Sequence, residues 1–179
     1  MDTSVRLRPL YRREYDQLVE LGVFEDEPIE LLEGALVEMS PEGARHHWFI
    51  YQLVEHLMLS LPRRVMVRQA GPWAASDVSE PEPDVAIVPR ARYDRHHPDT
   101  TLLLMEVAYS SLRKDLGVKA AVYAAAGVPE YWVVDLVHDV IHLHRDPGPD
   151  GYGRIDQHGF DDTLQVEGVP VRLTDLLEG

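Results

Sequence analysis

The 179-residue sequence contains no cysteine and only two lysines, Lys114 and Lys119. Without cysteine, the chain forms neither disulfide bonds nor thiolate metal sites. It has no run of eighteen apolar residues and no basic, apolar N-terminal leader. We therefore expect no membrane span and no signal peptide, and a cytoplasmic location. The length and the 45% content of hydrophobic residues predict a single domain over residues 1–179.

Positive charge is also scarce, because 17 lysine and arginine residues stand against 31 acidic residues and give a formal net charge of −14. This charge argues against non-specific binding to nucleic acid, which proteins hold chiefly through Lys and Arg. The deficit is uneven along the chain, since residues 63–119 carry 9 basic and 8 acidic side chains. This stretch is the only one that is not strongly acidic, and it contains the candidate site described below.

Apolar periodicity and turn residues predict the order of the elements. Helices are expected over 9–21, 43–61, 113–126 and 174–178. A hairpin of 29–32 and 35–39 is expected around the turn Glu33-Gly34. Further strands are expected near 64–69, 83–88, 102–108, 130–135, 140–145, 152–157 and 164–172, with a turn over 146–151. Three successive strands lack intervening helices, so we predict an α/β (α+β) fold with a mixed central sheet flanked by helices, an N-terminal hairpin and C-terminal meandering strands.

Two carboxylates interrupt segments that otherwise indicate buried strands. Asp84 follows Pro83 at the start of an apolar strand, and Glu106 lies within Leu102–Val107. An unpaired charge removed from water is costly enough to shift its pKa or to require a cation. Asp84 is also explained as a turn former at a strand entrance. The apolar residues around Glu106 fit a buried acid better than a solvent-exposed one.

Lys119 joins these acids in the helix that follows the second strand. Asp115, Lys119 and Tyr123 are spaced by four and share one helix face. The alternative is an ordinary exposed ion pair between Asp115 and Lys119, which is the commoner result of this spacing. Carboxylates suit Mg²⁺, and a nearby ammonium can orient water or stabilise an oxyanion. Asp, Glu and Lys together are the parts of a metal-dependent phosphodiesterase.

Several separate motifs, in order, resemble the bacterial Uma-type putative endonucleases of the PD-(D/E)XK nuclease superfamily, which has a restriction-endonuclease-like fold. These motifs are Ile29-Glu30-Leu31-Leu32-Glu33-Gly34, Met39-Ser40-Pro41 with His46, Glu82-Pro83-Asp84, Leu104-Met105-Glu106-Val107 with Ser110, Asp115-Leu116-Gly117-Val118-Lys119, and residues 123–135. The similarity spans about residues 9–145, and it predicts a restriction-endonuclease-like core.

The resemblance implies that Asp84 and Glu106 bind Mg²⁺ or Mn²⁺ and that the substrate is DNA. Ala108 stands where the superfamily usually has its lysine, so Lys119 is expected to supply that group from the following helix. Glu33 matches an acidic position of the family and is expected to be an extra metal ligand or a water-orienting group; a simple turn role beside Gly34 explains it equally well. A homodimer is expected if both strands are cut.

Three further residues are candidate substrate contacts: His46, Arg68 and Tyr123. His46 is equally well explained as a polar residue at the start of a helix, and Arg68 as an ordinary surface residue. The adjacent pairs His46-His47 and His96-His97 do not predict zinc, because neighbouring histidines point apart in regular structure and no HExxH or Cys/His spacing is present.

Two functions remain open at this point. The first is a magnesium-dependent endonuclease that cleaves DNA. The second is a non-catalytic binding or interaction module that keeps the nuclease fold, and the net charge of −14 favours it because such a charge weakens affinity for DNA.

Overall fold

The structure, a computed structural model, describes residues 6–177. Its helices are α1 (Arg12–Glu20), α2 (Ala44–Ser60), α3 (Leu112–Lys114), α4 (Ala120–Ala125) and α5 (Leu173–Leu177), and a π turn (Asp115–Lys119) joins α3 to α4. Its strands are β1 (Ile29–Leu32), β2 (Ala35–Glu38), β3 (Val65–Gln69), β4 (Val85–Pro89), β5 (Leu103–Ala108), β6 (Glu130–Asp135), β7 (Val140–Gly148), β8 (Gly151–Gly159), β9 (Thr163–Val166) and β10 (Val169–Arg172). No helix within these residues is both long enough and apolar enough to cross a bilayer.

A six-stranded sheet lies at the centre, in the order β3-β4-β5-β6-β7-β8. Neighbouring strands are antiparallel except for β5 and β6, which run parallel with Glu106 opposite Val133. A parallel pair needs a long crossover, and α3, the π turn and α4 provide it. The mixed central sheet predicted from the sequence is therefore confirmed, with β1–β2 and β9–β10 as separate two-stranded hairpins.

Both faces of the sheet are covered by apolar side chains. Met105 of β5 packs in a cluster with Phe49 of α2, and this cluster continues to the β9–β10 hairpin and α5. Leu104, the next residue along the strand, belongs to a second cluster that contains Tyr123 of α4. Because side chains alternate along a strand, Glu106 faces the same side as Leu104 and is directed toward the crossover.

The β1–β2 hairpin turns as its sequence predicts. Glu33 and Gly34 have φ angles of 50° and 79°, the left-handed conformation that a two-residue hairpin turn requires. The Gly34 carbonyl accepts a hydrogen bond from the Leu10 N–H at 2.9 Å, so the turn is packed against the segment before α1. All four residues of β1 are buried.

Gly34 is predicted to be required for this packing. A Cβ on Gly34 would lie 2.3 Å from Cβ of Pro9, at a residue whose φ is already positive. Gly34→Ala is therefore expected to lower the free energy of unfolding by more than about 1 kcal/mol, as measured by urea denaturation. Gly159→Ala is the matched control, because its Cβ would meet no atom within 4 Å. Equal stability of the two variants would contradict the prediction.

The crossover differs from the single helix predicted over 113–126. A π turn interrupts it over Asp115–Lys119. Such turns occur mostly as single bulges within α-helices, and these are frequent at functional sites. Asp115 and Lys119 are only 2% and 3% exposed, so the alternative of an exposed ion pair on a helix surface is wrong.

The C-terminal strands are longer and more divided than predicted. Strand β7 continues to Gly148 through the turn expected over 146–151. The segment 164–172 contains the hairpin β9–β10, which reverses at Glu167 and Gly168 with φ angles of 51° and 81°. The last helix runs from Leu173 to Leu177, and the predicted end at Glu178 lies outside the described residues.

Candidate active site

One cleft brings together the three residues on which the sequence hypothesis depends. Asp84 lies just before β4, Glu106 lies in β5, and Lys119 ends the π turn; all three line the cleft. His46 of α2 lines it as well. Strands β4 and β5, helix α2 and the crossover thus place groups from distant parts of the chain around one opening.

Asp84 is held through only one of its two carboxylate oxygens. Its Oδ2 accepts the Val107 N–H at 2.6 Å and lies 3.3 Å from Nε2 of His46. Within residues 6–177, Oδ1 has no hydrogen-bond partner from the protein. Asp84 and Glu42, acting against burial, raise the pKa of His46 above its ordinary value. Asp84 therefore keeps one oxygen available in the cleft.

Glu106 has the same asymmetry. Its Oε1 accepts hydrogen bonds from Nζ of Lys119 and from the Tyr123 hydroxyl, both at 2.8 Å. No donor in the described part of the chain binds its Oε2. Burial raises the pKa of Glu106 well above its ordinary value; Lys119 opposes this shift and the charge of Asp84 adds to it.

Glu30 is a third buried acid, and it contacts both lysines of the protein. Its Oε1 lies 2.9 Å from Nζ of Lys114, and its Oε2 lies 3.0 Å from Nζ of Lys119. The Glu82 N–H also donates to Oε2 at 3.2 Å. Glu30 is fully buried, and both of its oxygens are already bound by protein groups. It therefore positions the lysines and has no oxygen free for an ion.

The surroundings of Lys119 favour its protonated form. Burial alone would lower the pKa of its ammonium, but the charges of Glu106 and Glu30 outweigh burial and raise that pKa above its ordinary value. Its nitrogen also lies 3.4 Å from the Glu82 carbonyl. A group that stays protonated cannot accept a proton from water, so Lys119 can act by charge and hydrogen bonding but not as a general base.

Negative charge exceeds positive charge in and behind the cleft. The acids are Glu30, Glu82, Asp84, Glu106 and Asp115, whereas the lysines are Lys114 and Lys119. Burial raises the pKa values of Glu82 and Asp115 as well as that of Glu106. A divalent cation would offset this excess, and the free oxygens of Asp84 and Glu106 are the hard ligands that Mg²⁺ and Mn²⁺ prefer. The residues present thus fit such an ion.

Three predicted positions differ from expectation. Glu33 lies exposed in the β1–β2 turn, outside the residues that line the cleft, because the turn directs it away from β1's buried face. Arg68 of β3 is also outside the cleft, and its Nη1 donates to the Pro72 carbonyl at 3.0 Å. Tyr123 is fully buried against Glu106, so it orients that acid and is not open to substrate. His46 is 4% exposed and directs Nε2 to Asp84.

Glu30 is the buried acid of the candidate site that sequence reasoning missed. It lies between Ile29 and Leu31 in a short apolar segment, which is the same signal that identified Glu106. The adjacent turn residues drew the interpretation to Glu33 instead. The rule that a charge inside a buried strand needs a partner would have found Glu30.

Comparison with known proteins identifies the family of the chain and supports its fold. The family model Uma2, described as "Putative restriction endonuclease", matches residues 12–177. The crystal structure of a putative nuclease belonging to DUF820 from Anabaena variabilis ATCC 29413 is similar with a TM-score of 0.75 and 14% sequence identity, covering 95% of this chain and 98% of that chain. At this identity the likeness shows the fold alone. No curated protein matches the chain.

Proposed function

Because the chain belongs to the Uma2 family of putative restriction endonucleases, we propose that it is a metal-dependent endonuclease that hydrolyses phosphodiester bonds of DNA. The observation that carries this proposal is that Asp84 and Glu106, which line the same acidic cleft, each have one oxygen bound by the protein and one oxygen with no hydrogen-bond donor among residues 6–177. Two such carboxylates suit Mg²⁺ or Mn²⁺, which usually bind one or two carboxylates together with substrate phosphate. A bound divalent cation supplies charge neutralisation at the phosphate and lowers the pKa of water.

The protein's own groups have distinct roles in this proposal. The Val107 N–H and His46 fix the orientation of Asp84. Lys119 places its positive charge beside Glu106, where it stabilises negative charge that develops on a phosphoryl oxygen. Glu30 holds Lys119 in that position from the other side.

DNA is proposed as the substrate because the matching family is described as putative restriction endonucleases. The stretch 63–119, which contains Asp84, Glu106 and Lys119, is the near-neutral part of the sequence, and a bound divalent cation would offset the excess negative charge of the cleft. We propose that two copies act together when both strands are cut and that the protein works in the cytoplasm.

The test is plasmid cleavage with Mg²⁺ or Mn²⁺. Parent protein is expected to nick or linearise supercoiled DNA, and Asp84→Asn is expected to lower the rate at least about 100-fold because it removes a charged ligand. Asp99→Asn is the matched control, since Asp99 is an exposed acid of the same stretch outside the cleft. We expect its rate to equal that of the parent.

Two results would contradict the proposal. Cleavage that survives EDTA and is unchanged in Asp84→Asn would indicate a contaminating nuclease. If the parent cleaves neither single-stranded DNA, double-stranded DNA nor RNA with either metal, the result would favour a non-catalytic binding module instead.

A further inference from the structure

A cluster of metal-ligating side chains lies beside the candidate active site, at the start of α2. Oε2 of Glu42 is 3.3 Å from Nδ1 of His46 and 3.6 Å from Nδ1 of His47. One ligand atom from each of the three residues lies within 4.8 Å of the others. None of these contacts is needed for the roles of Asp84, Glu106 and Lys119 described above.

The geometry explains how two adjacent histidines converge although regular structure directs neighbours apart. Glu42 precedes Gly43, the N-cap residue of α2, so its carboxylate lies at the open end of the helix. The rings of His46 and His47 meet edge to face, with centroids 5.7 Å apart and an interplanar angle of 85°. The carboxylate lies where both Nδ1 atoms can reach it.

His46 provides the second observation that points to a ligand. Its Nδ1 is buried and makes no hydrogen bond within the described residues, although Oε2 of Glu42 lies 3.3 Å away. The whole residue is only 4% exposed. Buried polar atoms without a partner are rare in proteins, and a bound ion is one explanation for such an atom.

We propose that Glu42, His46 and His47 bind a divalent transition-metal ion of the zinc type, at a site separate from the carboxylate pair of Asp84 and Glu106. Imidazole nitrogens favour Zn²⁺, Co²⁺ and Ni²⁺, whereas carboxylate oxygens alone favour Mg²⁺ and Mn²⁺. Zinc–ligand bonds of about 2.1 Å in a tetrahedron separate neighbouring ligand atoms by about 3.4 Å. The distances from Glu42 Oε2 to Nδ1 of His46 and of His47, 3.3 and 3.6 Å, are close to this value. Two histidines and a glutamate leave a fourth position open to water.

His46 connects this site to the neighbouring one. An ion on Nδ1 requires the ring proton to be on Nε2, and Nε2 lies 3.3 Å from Oδ2 of Asp84. The arrangement is then a carboxylate–histidine–metal triad, in which the carboxylate fixes the tautomer and the ring orientation. Occupancy of the site would in turn hold Asp84 in its orientation; only this consequence rests on the proposed function.

The experiment titrates the full-length, EDTA-treated protein with Co²⁺ and Zn²⁺ at pH 8, by visible absorption and calorimetry. Parent protein is expected to bind one equivalent at this site, with the absorption of low-coordinate Co²⁺. His47→Ala is expected to weaken binding at least about 10-fold, and its side chain is 63% exposed, so folding is preserved. His96→Ala, from the chain's other adjacent pair, is the matched control and should bind like the parent. Glu42→Gln is a second variant that should also weaken binding.

Asp84→Asn separates this proposal from the nuclease proposal. It is expected to keep saturable Co²⁺ binding, weakened about 10- to 100-fold because His46 loses its carboxylate partner, while losing DNA cleavage. The proposal is overturned if the parent shows no saturable binding, if His47→Ala binds as tightly as His96→Ala, or if Asp84→Asn alone abolishes binding, since the last result would put the ion in the carboxylate pair. Absence of cleavage by the parent has no bearing on these readouts.

Discussion

Lys119→Met is expected to lower the free energy of unfolding by about 3–5 kcal/mol at pH 8, because it leaves buried carboxylates without their cation. Glu30 is fully buried and Glu106 is 3% exposed, and Lys119 is within 3.0 Å of both. Under the proposed function the same substitution is expected to reduce DNA cleavage at least about 1000-fold. Urea denaturation and the plasmid assay measure the two effects.

The loss of stability should depend on pH in a defined direction. Lys119 holds down the pKa of Glu106, which burial raises, so its removal lets that pKa rise further. At pH values below its unfolded pKa of about 4.3, a carboxyl whose pKa is raised in the folded state does not lower the free energy of unfolding. Its ionisation lowers that free energy increasingly as the pH rises above this value. The deficit of Lys119→Met should therefore be smallest near pH 4 and largest near pH 8.

Lys114→Met is the matched control for stability, because Lys114 is the only other lysine and its side chain is 19% exposed against 4% for Lys119. It contacts Glu30 but has no ion pair with Glu106 among the described residues. We expect its effect on unfolding to be less than half that of Lys119→Met. Equal losses in the two variants, or a loss that does not change with pH, would contradict the assignment of Lys119 as the central cation.

Glu80→Gln is expected to stabilise the protein at pH 8 by at most about 3 kcal/mol, with little effect at pH 5. Glu80 is 3% exposed, and its nearest cation, Nη1 of Arg12, is 3.7 Å away. Burial and the charge of Asp16 raise its pKa to about 7, and Arg12 opposes them. Glutamine has the shape of the protonated acid but does not ionise as the pH rises.

The direction of this pH dependence follows from the proton that Glu80 keeps in the folded state. Between the ordinary value of 4.5 and about 7, folded protein keeps a proton on Glu80 that the unfolded chain releases. Stability therefore falls as pH rises through this window, and the parent but not Glu80→Gln should show that fall. Urea denaturation at pH 5 and pH 8 measures it, with Glu20→Gln, an exposed acid of α1, as control. A Glu80→Gln variant less stable than the parent at pH 8 would contradict the prediction.

Much of the fold follows from local signals. The hairpin around Glu33-Gly34, strand β4 just after Asp84 and strand β5 around Glu106 were predictable, because turn residues and apolar runs act over a few positions. The π turn was not, since apolar spacing does not distinguish it from an α-helix over five residues. The β9–β10 reversal at Glu167-Gly168 repeats the Glu-Gly signal of the first hairpin, so it was present in the sequence and overlooked.

Several residues of the candidate site were predictable, but the contacts between them were not. Glu106 stands out because a charge in an apolar run needs a partner. That the partners of Lys119 include Glu30 depends on β1 lying beside the crossover, and the ion pair from Lys114 to Glu30 spans 84 positions of the chain. Single-sequence patterns carry no information on such contacts, so the choice between Glu30 and Glu33 required the structure.

The π turn has a consequence for insertions and deletions. Each residue of an α-helix rotates its neighbour by about 100°, so removing one position between Ser111 and Lys119 would swing the ammonium from the cleft toward another side of the crossover. The parallel strand β6 begins only five positions after α4 ends, at Glu130, and leaves little slack to restore the alignment. The number of residues in this stretch is therefore constrained as strongly as their identity. In variants that differ in length here, the Lys119 ammonium should no longer point into the cleft, even when all the residues that line the cleft are kept.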